Sequence, residues 1–277
     1  MTTRRLEDAL AANRREYAQH GVTCLRGLFD AARVASLAAA SRDVIERPLE
    51  HGNAGYMQGP MTAVNFLYRR PGPFRDFVFG SPAGEIIGRV IGSGTIRMYH
   101  DYLFSKQPCC EKVVPWHTDG GGYALQGEMM PNLWVALTPA NAANGRLEFI
   151  GGFHRGPVAR RWSERREVEG PSEPLLPDFE DPAEPATRRY PRLAWDLAPG
   201  DAVLFHPYTP HHSKANRSPT TRTGYALRVV GDDVRWCLAK SQWLRVPGFR
   251  YESVADGTPV TQDDFPVMWR DAAAAAA

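Results

Sequence analysis

The chain has 277 residues, of which 43% are hydrophobic, and a formal net charge of +2. This length and apolar content are enough for one well-packed domain, and barrels of this size routinely form a single unit. The small net charge excludes a strongly electrostatic partner, and no cluster of Lys and Arg with aromatic residues predicts a nucleic-acid groove. We therefore expect one domain over residues 1–277 that acts on a small molecule.

Targeting and redox signals are weak. No stretch approaches the roughly 20 apolar residues of a membrane span, and the N-terminus lacks the apolar core of a signal peptide. The four cysteines have no CxxC spacing, and the adjacent pair Cys109-Cys110 lies in a loop where we expect no metal. We expect a cytoplasmic protein with reduced thiols, without a membrane partner, and either monomeric or homodimeric.

The first third of the chain, about residues 1–94, is predicted to be rich in helices that pack on the rest of the domain. Apolar residues recur at helical spacing in three places, the second preceded by a good N-cap, Asp30, and the third ended by Gly92. The predicted helices cover residues 6–19, 31–45 and 81–90, and an edge strand covers residues 22–26.

Short strands separated by turns dominate from about residue 95 to residue 235, and 236–277 form a C-terminal segment. Helices followed by many short strands are typical of a mainly β protein with flanking α-helices, here a double-stranded β-helix, that is, a jelly-roll or cupin-like barrel. The predicted strands cover 95–106, the segment ending at Asp119, 133–138, 146–150, 195–197, 202–205 and 223–230.

One segment of the barrel region, residues 155–192, is rich in Pro, Glu and Arg. A loop this long within a compact domain is usually a lid or is disordered. Its position between strands that carry candidate site residues favours a lid, with a solvated insert as the alternative. Tyr123, Met129 and Met130 form either an apolar wall of the substrate pocket or ordinary packing.

A candidate metal site begins at His117 and Asp119. Along an extended strand, residues i and i+2 project from the same face, so both side chains can reach one ion. Gly120-Gly121-Gly122 follows and ends the strand, which places the pair where a rigid scaffold opens into a loop. A His and an Asp beside a surface turn remain the alternative, since this short motif is weak alone.

A second polar segment carries the remaining candidates. The tract from His211 to Arg222 separates two apolar strands, which predicts a hairpin turning near Asn216 with His211 opposite Arg222. Two imidazoles and one carboxylate form the three-ligand face that ferrous iron uses in oxygen-activating enzymes. An Arg beside such a site suits a dicarboxylate whose far end needs a bidentate clamp, although a solvated basic hairpin tip is also possible.

Further motifs follow the same order along the chain. They are His117-Thr118-Asp119, Trp134-Val135-Ala136-Leu137, Asn144-Gly145-Arg146-Leu147, Gly151-Gly152-Phe153-His154-Arg155-Gly156, Pro199-Gly200-Asp201, and His206 with His211, Ser213, Asn216 and Arg222. This ordered series resembles the phytanoyl-CoA dioxygenase family of iron(II) and 2-oxoglutarate-dependent oxygenases, over most of the chain. The resemblance implies that His117, Asp119 and His211 bind iron and that Arg222 holds the distal carboxylate of 2-oxoglutarate. It further implies that Ser213 assists Arg222, and that Trp134 and Tyr102 line the cosubstrate.

The chain departs from the family at His212, where a small residue is usual, and at Gly151-Gly152 in place of Pro-Gly. Either His211 or His212 can be the distal ligand on sequence grounds. The spacing to His206 and Arg222 favours His211, which also shares a strand face with Ser213. Lone histidines near a barrel are more often hydrogen-bonded scaffolding than ligands, so His100, His154 and His206 are expected to be structural.

The carboxylate of Asp119 also indicates the reaction. Halogenating relatives replace it by Gly or Ala, so its presence favours hydroxylation, desaturation or ring formation. We expect a dioxygenase that uses Fe(II), O2 and 2-oxoglutarate to oxidise an unactivated carbon of a small organic molecule, such as a natural-product intermediate, with release of succinate and CO2. The alternatives are a zinc-dependent hydrolase with the same triad and a non-catalytic jelly-roll binding protein.

Overall fold

The computed structural model describes residues 3–51, 53–57, 60–156, 176–238, 246–261 and 263–272. Most of the helical residues precede residue 92, as predicted. None of the helices in the described ranges is long and apolar enough to cross a membrane. The helices are α1 (Thr3–His20), α2 (Ala31–Glu46), α3 (Pro48–His51), α4 (Pro73–Gly80), α5 (Ala83–Ile91) and α6 (Pro185–Arg189).

The strands form two main antiparallel sheets. They are β1 (Val22–Leu25), β2 (Asn53–Met57), β3 (Met61–Asn65), β4 (Thr95–Lys106), β5 (Val114–His117), β6 (Leu125–Gln126), β7 (Asn132–Ala136), β8 (Leu147–Ile150), β9 (Arg192–Ala194), β10 (Ala202–Phe205), β11 (His211–Ser213), β12 (Arg222–Val230), β13 (Arg235–Trp236) and β14 (Val267–Arg270). The large sheet has the order β1-β10-β7-β12-β4-β3-β2, with β14 also paired to β4, and the small sheet has the order β5-β11-β8-β9. The predicted jelly-roll is confirmed.

The central strands of the large sheet, β10, β7 and β12, are largely buried on both faces, and the alternation of side chains divides their residues between two cores. On β10, Val203 and Phe205 belong to an inner core that also contains Phe149 of the small sheet. Leu204 lies on the opposite face, in the outer core. The inner core therefore joins the two sheets and fills part of the barrel interior.

The helices cover the outer face of the large sheet. Leu10 of α1, Leu37 of α2, Phe77 of α4 and Ile86 of α5 are fully buried in the outer core. The predicted helix boundaries are largely confirmed, because local signals set them. The Asp30 side chain accepts a hydrogen bond from the Arg33 amide (3.0 Å), which caps α2.

Some predicted elements are wrong. The strand predicted at 195–197 lies three residues earlier, as β9, where it pairs with β8. The predicted hairpin does not form, because β11 belongs to the small sheet and β12 to the large one. The Asn216 side chain donates to the carbonyls of Lys106, Gln107 and Thr220. These bonds hold the β11–β12 connection against the end of β4, so the chain passes from the small sheet to the large one.

The predicted lid is only partly described. Residues 157–175 of this segment lie outside the described residues. Residues 176–192 contain α6 and Phe179, whose ring contacts Trp116 edge-on at 5.3 Å between centroids. The Arg192 guanidinium lies 5.2 Å from the same indole, so this end of the segment packs behind β5. A role as a lid stays a prediction.

Candidate metal and cosubstrate site

The barrel interior is organised by the register of β7, β12 and β4. Residues paired across these strands share a face, so the inward side chains form successive rows. The first row lies near the candidate metal ligands, and the fourth lies at the other end of the interior. The first row is Asn132, Arg228 and His100; the second is Trp134, Ala226 and Tyr102; the third is Ala136, Gly224 and Phe104; the fourth is Arg222 and Lys106.

The three predicted metal ligands come together on the small sheet, across from the first row. His117 ends β5 and His211 begins β11, and the two are directly paired, with ring centroids 4.2 Å apart. The Asp119 carboxylate lies 3.7 Å from His117 Nε2 and 3.9 Å from His211 Nε2. One ligand atom from each residue lies within 4.8 Å of the other two, an arrangement able to hold one metal ion.

Asp119 reaches this position through a turn rather than through an extended strand. β5 ends at His117, and Asp119 has helical dihedrals (φ −85°, ψ −27°), so the predicted strand up to Asp119 is wrong. The amides of Asp119 and Gly120 both donate to the Pro207 carbonyl, at 2.9 and 3.0 Å. A Cβ on Gly120 would lie 1.9 Å from the Tyr208 ring, so this close approach requires glycine.

Backbone carbonyls orient both imidazoles. His117 Nδ1 lies 2.9 Å from the Pro115 carbonyl and His211 Nδ1 lies 3.1 Å from the Thr209 carbonyl. A proton on each Nδ1 satisfies these contacts and leaves each Nε2 lone pair directed toward Asp119. Burial lowers the pKa of His211 to about 3, so this ring is neutral near pH 7, as a metal ligand must be.

The Asp119 carboxylate is held from the large sheet. Its Oδ2 accepts hydrogen bonds from Asn132 Nδ2 (2.7 Å) and Arg228 Nη2 (2.8 Å), whereas Oδ1 lies toward His117. Burial alone would raise the pKa of Asp119, but the charge of Arg228 and its hydrogen bond to Oδ2 lower it well below its usual range. Asp119 is therefore ionised and fixed in orientation, with one oxygen left for a metal.

Sequence reasoning missed Asn132 and Arg228. The available signal was the charge of Arg228 within the apolar strand Tyr225–Val230, because a charged residue in a buried strand needs a partner. The partner, Asp119, is more than a hundred residues away in sequence. Only the pairing of the strands shows that they meet.

The fourth row is a cluster of buried cations. Arg222 Nη2 donates to Ser213 Oγ (3.0 Å), and Lys106 Nζ donates to the same oxygen (3.0 Å) and to the Ser213 carbonyl (3.0 Å). Burial lowers the pKa of Arg222 to about 10, and burial together with Arg222 lowers that of Lys106 to about 7. In the described part of the chain, neither cation has an ion pair with a carboxylate, and Arg222 Nε has no hydrogen-bond partner.

The second row lies between the metal ligands and the cations. Trp134 and Tyr102 flank Ala226 on the neighbouring strands β7 and β4. The Trp134 ring lies 5.5 Å from the Arg222 guanidinium and covers Gly224, where a Cβ would lie 1.9 Å from the indole. The rows thus place aromatic surface between Asp119 at one end of the interior and Arg222 at the other.

His212 lies on the other face of the small sheet. Its ring stacks on Trp116 with centroids 3.9 Å apart, and its Nε2 lies 3.2 Å from Glu148 Oε2. Among the described residues, His117, Asp119 and His211 form the only group of His, Cys, Asp and Glu side chains close enough to hold a metal, and none of the cysteines belongs to it.

Comparison with known proteins places this arrangement in a family. The family model for phytanoyl-CoA dioxygenase matches residues 17–224. A phytanoyl-CoA dioxygenase of Arabidopsis thaliana is 25% identical over 173 residues, which are 62% of this chain and 57% of that protein. The chain spans little more than half the length of the curated relatives that it matches first.

Solved structures show the same fold at low sequence identity. The epimerase SnoN, solved with Fe3+, alpha ketoglutarate and nogalamycin RO, is 20% identical, with a TM-score of 0.75 over 95% of this chain and 99% of that chain. EctD from S. alaskensis, solved with 2-oxoglutarate and 5-hydroxyectoine, is 18% identical, with a TM-score of 0.67 over 90% of this chain and 85% of that chain. A further neighbour is the non-heme alpha ketoglutarate dependent carbocyclase SnoK, at a TM-score of 0.70, with 21% identity over 92% of this chain and 94% of that chain.

Proposed function

Because the chain belongs to the phytanoyl-CoA dioxygenase family, we propose that it is an iron(II)- and 2-oxoglutarate-dependent oxygenase. The observation that carries the proposal is the pair of buried cations, Arg222 and Lys106, which have no described carboxylate partner and lie in the same barrel interior as a two-His, one-carboxylate cluster. A metal ion alone needs no such cations, whereas the far carboxylate of a metal-bound dicarboxylate needs a cation to pair with.

The donor set suits ferrous iron. Two imidazoles and one carboxylate would bind one side of such an ion and leave its other positions open for a cosubstrate and O2. His117, Asp119 and His211 would be the ligands, with the Pro115 and Thr209 carbonyls holding the imidazoles. The hydrogen bonds from Asn132 and Arg228 occupy Oδ2 of Asp119, so Oδ1 would be the oxygen available to a metal.

The fourth row suits the far carboxylate of 2-oxoglutarate. A buried, uncompensated charge is costly, so an anion that pairs with Arg222 and Lys106 gains strong charge-assisted hydrogen bonds. Ser213 Oγ, which both cations contact, would complete this subsite. Trp134 and Tyr102 of the second row would line the carbon chain between this subsite and the metal.

Each part of the chain has a defined task in this mechanism. When bound, iron(II), O2 and 2-oxoglutarate supply the oxidising chemistry that removes hydrogen from an unactivated carbon, with release of succinate and CO2. The protein fixes the ligand geometry through backbone carbonyls and through Arg228, and it binds the cosubstrate at both ends of the interior. The apolar second and third rows exclude water from the space between.

The proposed outcome is hydroxylation, desaturation or ring closure of a small organic molecule, such as a natural-product intermediate. Asp119 is present and hydrogen-bonded, so its coordination position is not free for a halide. The neighbouring structures include a carbocyclase and an epimerase of nogalamycin biosynthesis. These two enzymes catalyse different reactions, so the likeness supports the use of iron and 2-oxoglutarate and does not select one reaction for this chain.

An anaerobic titration of the apoprotein with Fe(II) and 2-oxoglutarate tests the proposal. We expect the weak visible charge-transfer band of the chelate to form in wild type, and to require higher 2-oxoglutarate in Arg222→Met. A matched control is Arg217→Met, since Arg217 lies on the same β11–β12 connection, outside the barrel interior. No band in wild type, or oxygen-independent hydrolysis with zinc, would contradict the proposal.

A further inference from the structure

Several buried polar atoms around Arg228 have no hydrogen-bond partner among the residues that the structure describes. They belong to the first row and to Tyr123, whose ring centroid lies 5.9 Å from the Arg228 guanidinium and 6.1 Å from the His100 ring. Buried polar groups in native proteins are nearly always hydrogen-bonded, so such a group indicates a missing partner. The atoms are His100 Nε2, Tyr123 Oη, Asn132 Oδ1 and Arg228 Nε.

These atoms lie beside the candidate metal site and not at the cosubstrate end. Arg228 and Asn132 both bond Asp119 Oδ2, and His100 is the register partner of Arg228 on β4. The fourth row, which suits the far end of the cosubstrate, lies six residues away along β12. The first row therefore borders the end of the barrel where a substrate would meet the metal.

The chemistry of the four atoms selects a class of ligand. Arg228 Nε–H is a donor, Asn132 Oδ1 is an acceptor, and Tyr123 Oη can be both. Burial and the charge of Arg228 keep the pKa of His100 well below its usual range, so His100 is neutral and contributes no charge. A ligand with hydroxyl groups, which both donate and accept, can satisfy this mixture.

Charged ligands are disfavoured at the same place. Arg228 would repel a cation, and its own charge is already compensated by Asp119 at 2.8 Å. An anion would meet Asp119 and the Asn132 carbonyl oxygen without a free cation to bind. We propose that His100, Tyr123, Asn132 and Arg228 form a substrate subsite that recognises neutral, hydroxyl-bearing small molecules.

This inference rests on the proposed function and is tested on the anaerobic Fe(II) and 2-oxoglutarate complex. The probes are neutral methyl glycosides and cyclitols, each with its mono-deoxy analogue, and the readout is the shift of the charge-transfer band on titration. We expect at least one hydroxylated probe to bind, and its deoxy analogue to bind about tenfold more weakly, because one buried partner then loses its hydrogen bond.

Tyr123→Phe removes only the hydroxyl and keeps the ring beside Arg228. We expect it to weaken that probe about tenfold and to reduce the discrimination against the deoxy analogue, with unchanged Fe(II) and 2-oxoglutarate titrations. Tyr17→Phe is the matched control, since Tyr17 Oη is also buried with no hydrogen-bond partner in the described ranges, but lies on α1. His100→Phe serves as a second variant if Tyr123→Phe does not fold.

The possible failures are distinguishable. Absence of the band in wild type contradicts the proposed function itself. A normal band with no response to any hydroxylated probe overturns the subsite, as does a response only to acyl-CoA thioesters. Equal affinity of wild type and both subsite variants for a responding probe also overturns it.

Discussion

Arg222 and Arg228 lie six residues apart on β12, on the same face, and each lies beside an aromatic ring. Arg222 is buried, and the Arg228 side chain is 13% exposed. Arg228 donates to Asp119 at 2.8 Å, and this carboxylate raises its pKa above the ordinary range despite burial. Arg222 has no described carboxylate partner, and burial lowers its pKa to about 10. One strand thus carries a compensated cation at one end of the barrel interior and an uncompensated one at the other.

This difference between Arg228 and Arg222 indicates that the two arginines have different functions. A compensated buried charge orients its partner, here the carboxylate of the candidate metal site. An uncompensated buried charge lowers the stability of the free protein, and it forms strong hydrogen bonds when an anion binds beside it. Substitutions at the two ends of β12 should therefore change stability in opposite directions.

The largest effect is expected for Asp119→Ala. Loss of the carboxylate removes a metal ligand and leaves Arg228 buried without its partner. We expect no detectable Fe(II) binding or turnover, and a loss of about 3–5 kcal/mol in the free energy of unfolding. Anaerobic metal titration and chemical denaturation measure the two effects.

The double variant Asp119→Ala with Arg228→Met separates these effects. Removing the orphaned cation should restore much of the stability, because no buried charge then remains unpaired. Metal binding should stay absent. Stability losses that simply add in the double variant would show that the pair is not coupled.

Arg222→Met should show the opposite pattern to the loss of Arg228. We expect the free energy of unfolding of the apoprotein to be unchanged or higher, because an uncompensated charge leaves the interior. The apparent demand for 2-oxoglutarate should rise roughly 30-fold or more, as expected when a buried charged contact worth about 2 kcal/mol or more is lost. If the Arg222→Met apoprotein were destabilised as much as the Arg228→Met apoprotein, the proposed contrast between the two ends of β12 would be contradicted.

Lys106 should make 2-oxoglutarate binding depend on pH. Burial and the charge of Arg222 lower its pKa to about 7, so the free protein loses this cation as pH rises through 7. The affinity for 2-oxoglutarate should then fall between about pH 6 and pH 8.5, since a bound dianion favours the charged lysine. Calorimetric titration across this range should give a flatter profile for Lys106→Met.

Lys106 also predicts how the stability of the apoprotein varies with pH. Its folded pKa is below that of the unfolded chain, so between about pH 7 and pH 10 the unfolded state binds more protons. The contribution of this residue to stability therefore rises with pH in that window and is lost as pH falls through 7. Denaturation of wild type and Lys106→Met over the same pH range separates the contribution of Lys106 from those of other titratable groups.

Features set by neighbouring residues were predictable from the sequence. The bounds of β4 and β10 agree with prediction because apolar, β-prone runs end at turn residues, and α2 begins at its Asp30 cap. α4 was not among the predicted helices, because two prolines and a glycine precede its apolar residues, whereas Pro73 in fact occupies the first turn of the helix.

Features set by distant contacts were not predictable. The order of motifs indicated that His211 and Arg222 share a site, but the hairpin between them was wrong, because three carbonyl contacts of Asn216 direct the chain into the other sheet. Asp119 reaches the site through the Pro207 carbonyl rather than through strand alternation. Neither contact leaves a periodic pattern in the sequence.

The smallest effect is expected for His212, the neighbour of the proposed ligand His211. His212→Gly removes the stack on Trp116 and the contact with Glu148, both on the face of the small sheet opposite the candidate metal site. We expect a loss of about 1–2 kcal/mol in stability with unchanged metal affinity. His212→Phe, which can keep the stack, should recover part of that loss.

His211→Ala provides the contrast that decides between the two histidines. Because His211 Nε2 faces Asp119 and His212 Nε2 faces Glu148, only the first substitution should abolish the charge-transfer band with Fe(II) and 2-oxoglutarate. If the band instead disappeared in His212→Gly and persisted in His211→Ala, the ligand assignment would be reversed. The proposed site would then need β11 to present its other face to the barrel interior, which its pairing with β5 and β8 opposes.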